Sequence, residues 1–107
     1  MVNQTEVFAA LGDQRRALIV SLLAQRPRSI SELAGHVGIS TPGTMKHLTV
    51  LESVGLVTRT KAGRVVTVRL EPQAFVPAEE WITRMRAHWE QQLDQLADSF
   101  TTREDPS

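Results

Sequence analysis

Cysteine is absent from all 107 residues of the chain. That absence removes disulfides, thiolate metal sites, iron–sulfur clusters and thiol redox chemistry together. Also missing is any apolar run near the roughly 20 residues that a membrane helix requires, so no membrane span is expected. Residues 1–11 lack the basic segment and small-residue cleavage site of a secretory signal, and the expected address is the cytoplasm. There is no Gly-rich phosphate loop, no nucleophile beside a base, and no carboxylate pair on a rigid element, so an enzyme is not expected. No internal repeat or low-complexity segment interrupts the chain. The composition, 41% hydrophobic and 22% charged, is that of an ordinary globular domain.

Net charge is lacking too, being zero at neutral pH, but its distribution is uneven. Residues 1–14 carry Glu6 and Asp13 with no cation. Residues 15–70 hold nine basic residues against Glu32 and Glu52, a local excess of seven positive charges. Residues 71–107 carry Arg84, Arg86 and Arg103 against eight acids. A basic middle between acidic ends fits a nucleic-acid partner better than the zero total suggests.

Helical periodicity is broken by clear punctuation. Val7, Phe8, Ala10 and Leu11 form a short apolar stretch that stops at Gly12. Asp13 is placed as an N-cap, followed by Leu18, Ile19, Leu22 and Leu23 on an inward face that ends before Pro27. Ser31 is the next cap candidate, with Leu33, Ala34 and Val37 inward and Gly38 closing the helix. A further helix from about Pro42 to Val54 places Leu48, Leu51 and Val54 on one face, and Gly55 ends it. Two short helices joined at Gly38-Ile39-Ser40 have the layout of a helix-turn-helix, whose second helix is offered to DNA. Residues 56–59 and 65–70 are expected strands flanking a turn around Gly63, and a long amphipathic helix follows over about 78–100.

At about 3.6 residues per turn, Pro42, Met45, Lys46 and Thr49 lie opposite the Leu48–Leu51–Val54 face. Lys46 suits a phosphate or a guanine edge, while Met45 and the Thr49 methyl suit a thymine methyl. Ser40, Thr41 and Thr44 cluster at the helix start, where hydroxyls and free N–H groups suit a phosphate. For Ser40, capping alone stands beside capping with phosphate contact, and Thr44 has a half-buried alternative. Arg59, Lys61 and Arg64 near the hairpin tip are candidates for the minor groove or flanking phosphates. Arg15, Arg26 and Arg28 are weaker phosphate candidates, and Arg16 is read as an internal ion-pair partner for the first two helices. His47 falls on the inward face as a packed histidine. His36 and His88 stand alone, and His88 with Glu90 cannot face one ion because residues two apart diverge on a helix.

Trp81, Met85, Trp89, Leu93, Leu96 and Phe100 recur at helical spacing on the last helix. A helix of about 22 residues is roughly 33 Å long, too long for the rest of the domain to cover. The stripe is therefore read as a dimer seam, packed with the first helix and its Phe8, rather than as a ligand cage.

Three blocks carry a resemblance: Phe8-Ala-Ala-Leu-Gly-Asp-Gln-Arg-Arg, Ile30-Ser-Glu-Leu-Ala, and Lys46-His-Leu-Thr-Val-Leu-Glu-Ser-Val-Gly-Leu-Val. In that order and spacing, over about residues 7–70, the chain resembles the ArsR/SmtB family of winged-helix repressors. The resemblance implies a mainly α fold with a small two-stranded β-wing, a winged helix-turn-helix dimeric through its terminal helices. Length and composition give one domain over residues 1–100, including the dimerisation helix at about 78–100, and residues 101–107 read as a flexible tail. The resemblance also implies a homodimeric repressor that binds an imperfect inverted repeat in double-stranded promoter DNA. The family's metal sites use a Cys-x-Cys in the third helix or His/Asp pairs in the last one. This chain has Ser31-Glu-Leu-Ala-Gly-His instead, so metal sensing by those sites is not expected. The tail from Trp81 to Phe100, of the form Trp-x7-Trp-Glu-x2-Leu-x2-Leu, resembles a metal-independent branch, with no cofactor expected. Met45 stands where a small hydroxyl residue is common and Thr49 where a basic one is frequent, which bears on the operator read. The alternative class is a winged-helix dimer serving as a protein-interaction or small-molecule-sensing module, its basic face docking an acidic protein.

Overall fold

Polar caps and left-handed glycines divide the helices. The computed structural model describes residues 2–103, with side chains described through Phe100. In chain order it comprises α1 (Gln4–Leu11), α2 (Gln14–Gln25), β1 (Arg28–Ser29), α3 (Ile30–Val37), α4 (Thr41–Ser53), β2 (Val57–Ala62), β3 (Val65–Leu70), a 3₁₀ turn (Pro72–Phe75) and α5 (Val76–Arg103). Asp13 is the N-cap of α2, its Oδ1 accepting the N–H groups of Arg15 and Arg16 at 2.8 and 3.1 Å. Gly38 and Gly55 both sit at φ 77°, the left-handed geometry that lets the following N–H turn back onto the helix. Leu56 N–H thereby reaches the Leu51 carbonyl at 3.0 Å.

Two local expectations need correcting. The cap of α3 is Ser29, not Ser31: Ser29 Oγ accepts Glu32 N–H at 3.1 Å and Glu32 Oε1 accepts Ser29 N–H at 3.3 Å, a reciprocal capping box. Leu18 is 42% exposed and so is not part of the inward face of α2, which is carried by Ile19 and Leu23.

The expected hairpin is present but longer and tighter, with Ala62 paired to Val65 across a Gly63-Arg64 turn. Gly63 has φ 62° and no non-glycine residue among those described has positive φ; this is the pattern of a type II′ turn, with glycine first. The sheet also has a third strand that periodicity did not reveal. β1 pairs antiparallel with β3, Arg28 opposite Val68 and Ser29 opposite Thr67, giving the order β1-β3-β2. Two residues are too few to show alternation, so only the pairing exposes them.

The core gathers Val7, Ile19, Leu33, Leu48, Leu51, Leu56, Val57 and Val68 from helices α1 to α4, the turn after α4, β2 and β3, and α5 adds Ala78. Beyond that point α5 leaves the domain. Its 28 residues span about 42 Å, and the molecule measures 79 × 29 × 20 Å. The helix runs past Phe100 to Arg103, so the first three residues of the expected tail are helical, and residues 104–107 lie outside the described ones. No described helix is long and apolar enough to cross a membrane.

Two arginines close helix C-termini from a distance. Arg16 Nε donates to the Ala10 carbonyl at 2.6 Å and Nη2 to the Ala9 carbonyl at 3.4 Å, capping α1. Its partners across the first two helices are thus carbonyls rather than a carboxylate. Arg28, only 7% exposed, donates from Nε to the Leu22 carbonyl at 3.1 Å and from Nη2 to Gln25 Oε1 at 2.6 Å, capping α2. A cation beside carbonyls at the negative end of a helix dipole is favourable on both counts. This overturns Arg28 as a phosphate contact.

Arg28→Met should lower unfolding stability by about 1–3 kcal/mol, because it leaves the Leu22 carbonyl and Gln25 Oε1 without the donors they have in the fold. Arg26→Ala, which removes only the exposed 2.8 Å pair with Glu32, should leave the urea midpoint nearly unchanged. Equal losses in the two variants would refute the capping role. The Asp13 carboxyl is held below its ordinary range by the Arg16 N–H, then by the Arg15 N–H and the Arg16 and His47 charges. Its contribution is complete above the unfolded pKa and lost as pH falls through the lower folded one. Urea titrations between about pH 5 and pH 2 should therefore show a shallower acid loss for Asp13→Asn than for the wild type.

Candidate nucleic-acid interface

The second helix of the helix-turn-helix, α4, is seated by its inner face. Thr44, Leu48 and Leu51 are fully buried, against α2, α3 and β2. Opposite them Pro42, Met45, Lys46 and Thr49 are exposed, as the periodicity predicts. Ser40 caps the helix by accepting Gly43 N–H at 3.1 Å and stays exposed. Thr41 is exposed in the first turn. Thr49 Oγ1 donates to the Met45 carbonyl at 3.0 Å, which occupies its proton within the helix.

Thr44 is a correction. It has no exposed surface, and its hydroxyl donates to the Ser40 carbonyl at 3.0 Å. A side chain sealed against the core cannot reach a phosphate, so Thr44 leaves the candidate set. The wing cations also divide. Arg59 is part-buried and ion-paired with Glu52 on the last turn of α4, so its charge ties the wing to the helix instead of facing outward. Lys61 and Arg64 are exposed and make no ion pair among the described residues.

The wing tip and the start of α4 meet in one cleft of about 460 Å³. Ser29 and Ser31 line one side, Thr41 and Met45 another, and Arg64 and Val65 the third. The tight turn brings Arg64 and the 54%-exposed Val65 onto the surface that carries Met45. Nothing in the sequence spacing points to Val65, Ser29 or Ser31 as lining this cleft. A two-residue hairpin turn would have pointed to Val65, but the two serines depend on the β1–β3 pairing. Arg69, exposed on β3 opposite Thr58, was also passed over. Beside it the Glu71 carboxyl is held below its ordinary range, first by Gln73, then by the Thr58 hydroxyl, with the Arg69 charge adding to this.

Of the nine cations between residues 15 and 70, Arg16, Arg26, Arg28 and Arg59 have intramolecular partners. Arg15, Lys46, Lys61, Arg64 and Arg69 remain exposed. Part of the basic excess therefore holds the fold together, and the remainder defines the outer surface.

Histidines are likewise engaged. His47 Nδ1 lies 3.5 Å from Arg16 Nη1 and 4.0 Å from Asp13 Oδ1, His36 Nε2 lies 3.5 Å from Arg28 Nη1, and His88 lies 3.1 Å from Gln92 Nε2. Among the described residues no group of three or more His, Asp or Glu is placed to hold a metal ion.

On the opposite side, α5 presents Trp81, Ile82, Met85, Trp89, Leu93, Leu96 and Phe100, between 37% and 60% exposed. Phe8 on α1 meets Trp81 edge-on, ring centroids 5.5 Å apart at 70°. This aromatic contact begins a continuous apolar stripe that no element among the described residues covers.

Over residues 13–59 the chain matches the family described as bacterial regulatory protein, arsR family. The HTH-type transcriptional regulator KmtR of Mycobacterium tuberculosis is 38% identical over 66 residues, covering 62% of this chain and 51% of that protein. A second regulator of that organism, Rv2034, is 37% identical over 65 residues, 61% of each chain. The chain thus spans between half and two thirds of the curated relatives it matches. Among solved structures, the ArsR family transcriptional regulator RHA00566 superposes with a TM-score of 0.74 at 34% identity, covering 80% of this chain and 94% of that one. An ArsR-like transcriptional regulator from Rhodococcus sp. RHA1 gives 0.74 at 30% identity, covering 89% and 90%.

Proposed function

This chain belongs to the ArsR family of bacterial regulatory proteins, and we propose on that footing that it is a sequence-specific DNA-binding transcriptional regulator, acting as a homodimeric repressor. The observation that carries the reading is the shared surface of α4 and the wing. Met45 and Thr41 of the helix line the same cleft as Arg64 and Val65 of the wing tip, so a duplex seated on α4 meets the wing cations as well.

Within that surface Lys46 reaches a phosphate or guanine edge, Met45 and the Thr49 methyl offer apolar contact to thymine, and Ser40 and Thr41 approach a phosphate at the helix start. Lys61 and Arg64 neutralise flanking phosphates. Two copies pair through α1 and α5, burying Phe8, Trp81, Met85, Trp89, Leu93, Leu96 and Phe100. A two-fold axis then presents two α4 helices to successive major grooves, and the operator is an imperfect inverted repeat in promoter DNA. The protein works in the cytoplasm and needs no metal to bind DNA. Selecting duplexes from random DNA with the purified chain tests the reading directly. Enrichment of an inverted repeat is expected, and no enrichment at moderate salt would overturn it.

On the selected duplex, Lys46→Ala should cost about 1–3 kcal/mol of affinity without changing the dimer or its melting temperature. In the same titrations, Lys61→Ala with Arg64→Ala should weaken all sequences alike, lowering the slope of log affinity against log salt by a little under one unit per lost phosphate contact. A change in sequence preference with the salt slope intact would mean that the wing reads bases.

Trp89 lies mid-stripe at 60% exposure in the single chain. If the twin helix buries it, Trp89→Ala should cost about 3–5 kcal/mol of dimer stability and reduce operator affinity with no DNA-facing residue altered. Sedimentation and DNA titration check both halves. A variant still dimeric at low micromolar concentration with full affinity would place the seam elsewhere.

A further inference from the structure

Arg16 sits where three elements meet. It belongs to the first turn of α2, whose cap Asp13 accepts its backbone N–H at 3.1 Å. Its guanidinium reaches back to the Ala10 and Ala9 carbonyls of α1 at 2.6 and 3.4 Å. The remaining arm, Nη1, points across to His47 Nδ1 at 3.5 Å, in the middle of α4 between Lys46 and Leu48. A guanidinium has donors only, in a rigid planar fork. With the His47 ring neutral, its Nδ1, which also lies 4.0 Å from Asp13 Oδ1, is the acceptor, and one planar group then contacts both α1 and α4.

The ends of this link are significant. The α1 carbonyls that hold Arg16 directly follow Phe8, the residue in edge contact with Trp81 of α5. The other end grips α4 beside the outward Lys46. The apolar contacts of α4 with α2, α3 and β2 keep it packed but are non-directional. The Nη1 contact to His47, at 3.5 Å, adds a directional tie to that packing.

We propose that Arg16 and His47 are positioning residues that hold the recognition helix at a set angle to the α1–α5 layer, and so set the half-site spacing that a dimer reads. The inference rests on the DNA-binding homodimer proposed above and concerns how its two reading heads are aligned. Neither side chain needs to touch DNA. In a bivalent complex the second half-site contributes only when both heads fit at once, so slack in this link costs affinity for two half-sites and little for one.

Three variants separate this role from plain stability. His47→Leu removes the acceptor, His47→Asn keeps an acceptor near the place of Nδ1, and Arg16→Lys keeps the charge but loses the fork. Each is measured by sedimentation, by thermal melting, and by titration on the duplex that the wild type selects from random DNA. Two further probes are that duplex with one half-site scrambled, and a series with half-sites moved by one or two base pairs.

His47→Leu and Arg16→Lys should remain dimeric and bind the single half-site within about twofold of wild type. On the selected spacing they should lose about tenfold or more, and rank the shifted spacings nearly equal. His47→Asn should keep the wild-type ranking. Wild-type spacing preference in His47→Leu, or equal losses on one and two half-sites, would overturn the assignment. If His47→Leu fails to fold, Arg16→Lys carries the same comparison. If the wild type itself selects no duplex, the DNA-binding reading fails, and the positioning role falls with it.

Discussion

The inner face of α4 is the constraint on which the remaining structure depends. Thr44, Leu48 and Leu51 are sealed in the centre of the domain, so the helix with the most useful outer surface is also the one most deeply held. Deep seating on one side makes the other side rigid, because a packed interior leaves little room for a helix to shift. Everything attached to α4 inherits that rigidity. The Gly55 turn directs the chain into β2, Glu52 pairs with Arg59 of the wing, and His47 meets Arg16 from the neighbouring helix. The outward set of Pro42, Met45, Lys46 and Thr49 is thus presented by a scaffold rather than by a loose loop.

Charge does two different jobs in the basic middle of the chain. Arg16 and Arg28 neutralise helix C-termini, where more carbonyls converge than backbone donors can satisfy. Arg59 locks the hairpin to α4, and Arg26 steadies the capping box of α3 through Glu32. Arg16, Arg28 and Arg59 thus tie elements of the fold together, while the exposed Arg26 pair is peripheral. The exposed cations lie on the surfaces so aligned, and Lys46 and Arg64 flank the start of α4 and the wing tip. The basic middle of a chain whose total charge is zero is therefore part architecture and part exposed surface.

The α5 stripe sets the other limit. A domain of this size buries a small core, and none of it reaches beyond the first turns of a 28-residue helix. Leaving Trp89, Leu93, Leu96 and Phe100 in water would forfeit roughly 1.5–3 kcal/mol for each large side chain that a partner surface could bury. A second copy, which brings a matching stripe, is the partner we propose for it.

Much was legible in the residues alone. The order of helices, the Asp13 cap, the stops at Gly38 and Gly55, the hairpin, the outward face of α4 and the apolar stripe all follow from spacing and local chemistry. Each is decided within one or two turns of chain. Tertiary structure decided the rest. β1 exists only because Arg28 and Ser29 find Val68 and Thr67 far along the chain. Thr44 is buried, Leu18 is exposed, and Arg28 and Arg59 turn inward because of neighbours that no local window contains. The difference is physical: helix and turn signals are short-range, whereas burial of a given hydroxyl or neutralisation of a given cation depends on partners brought close only by folding.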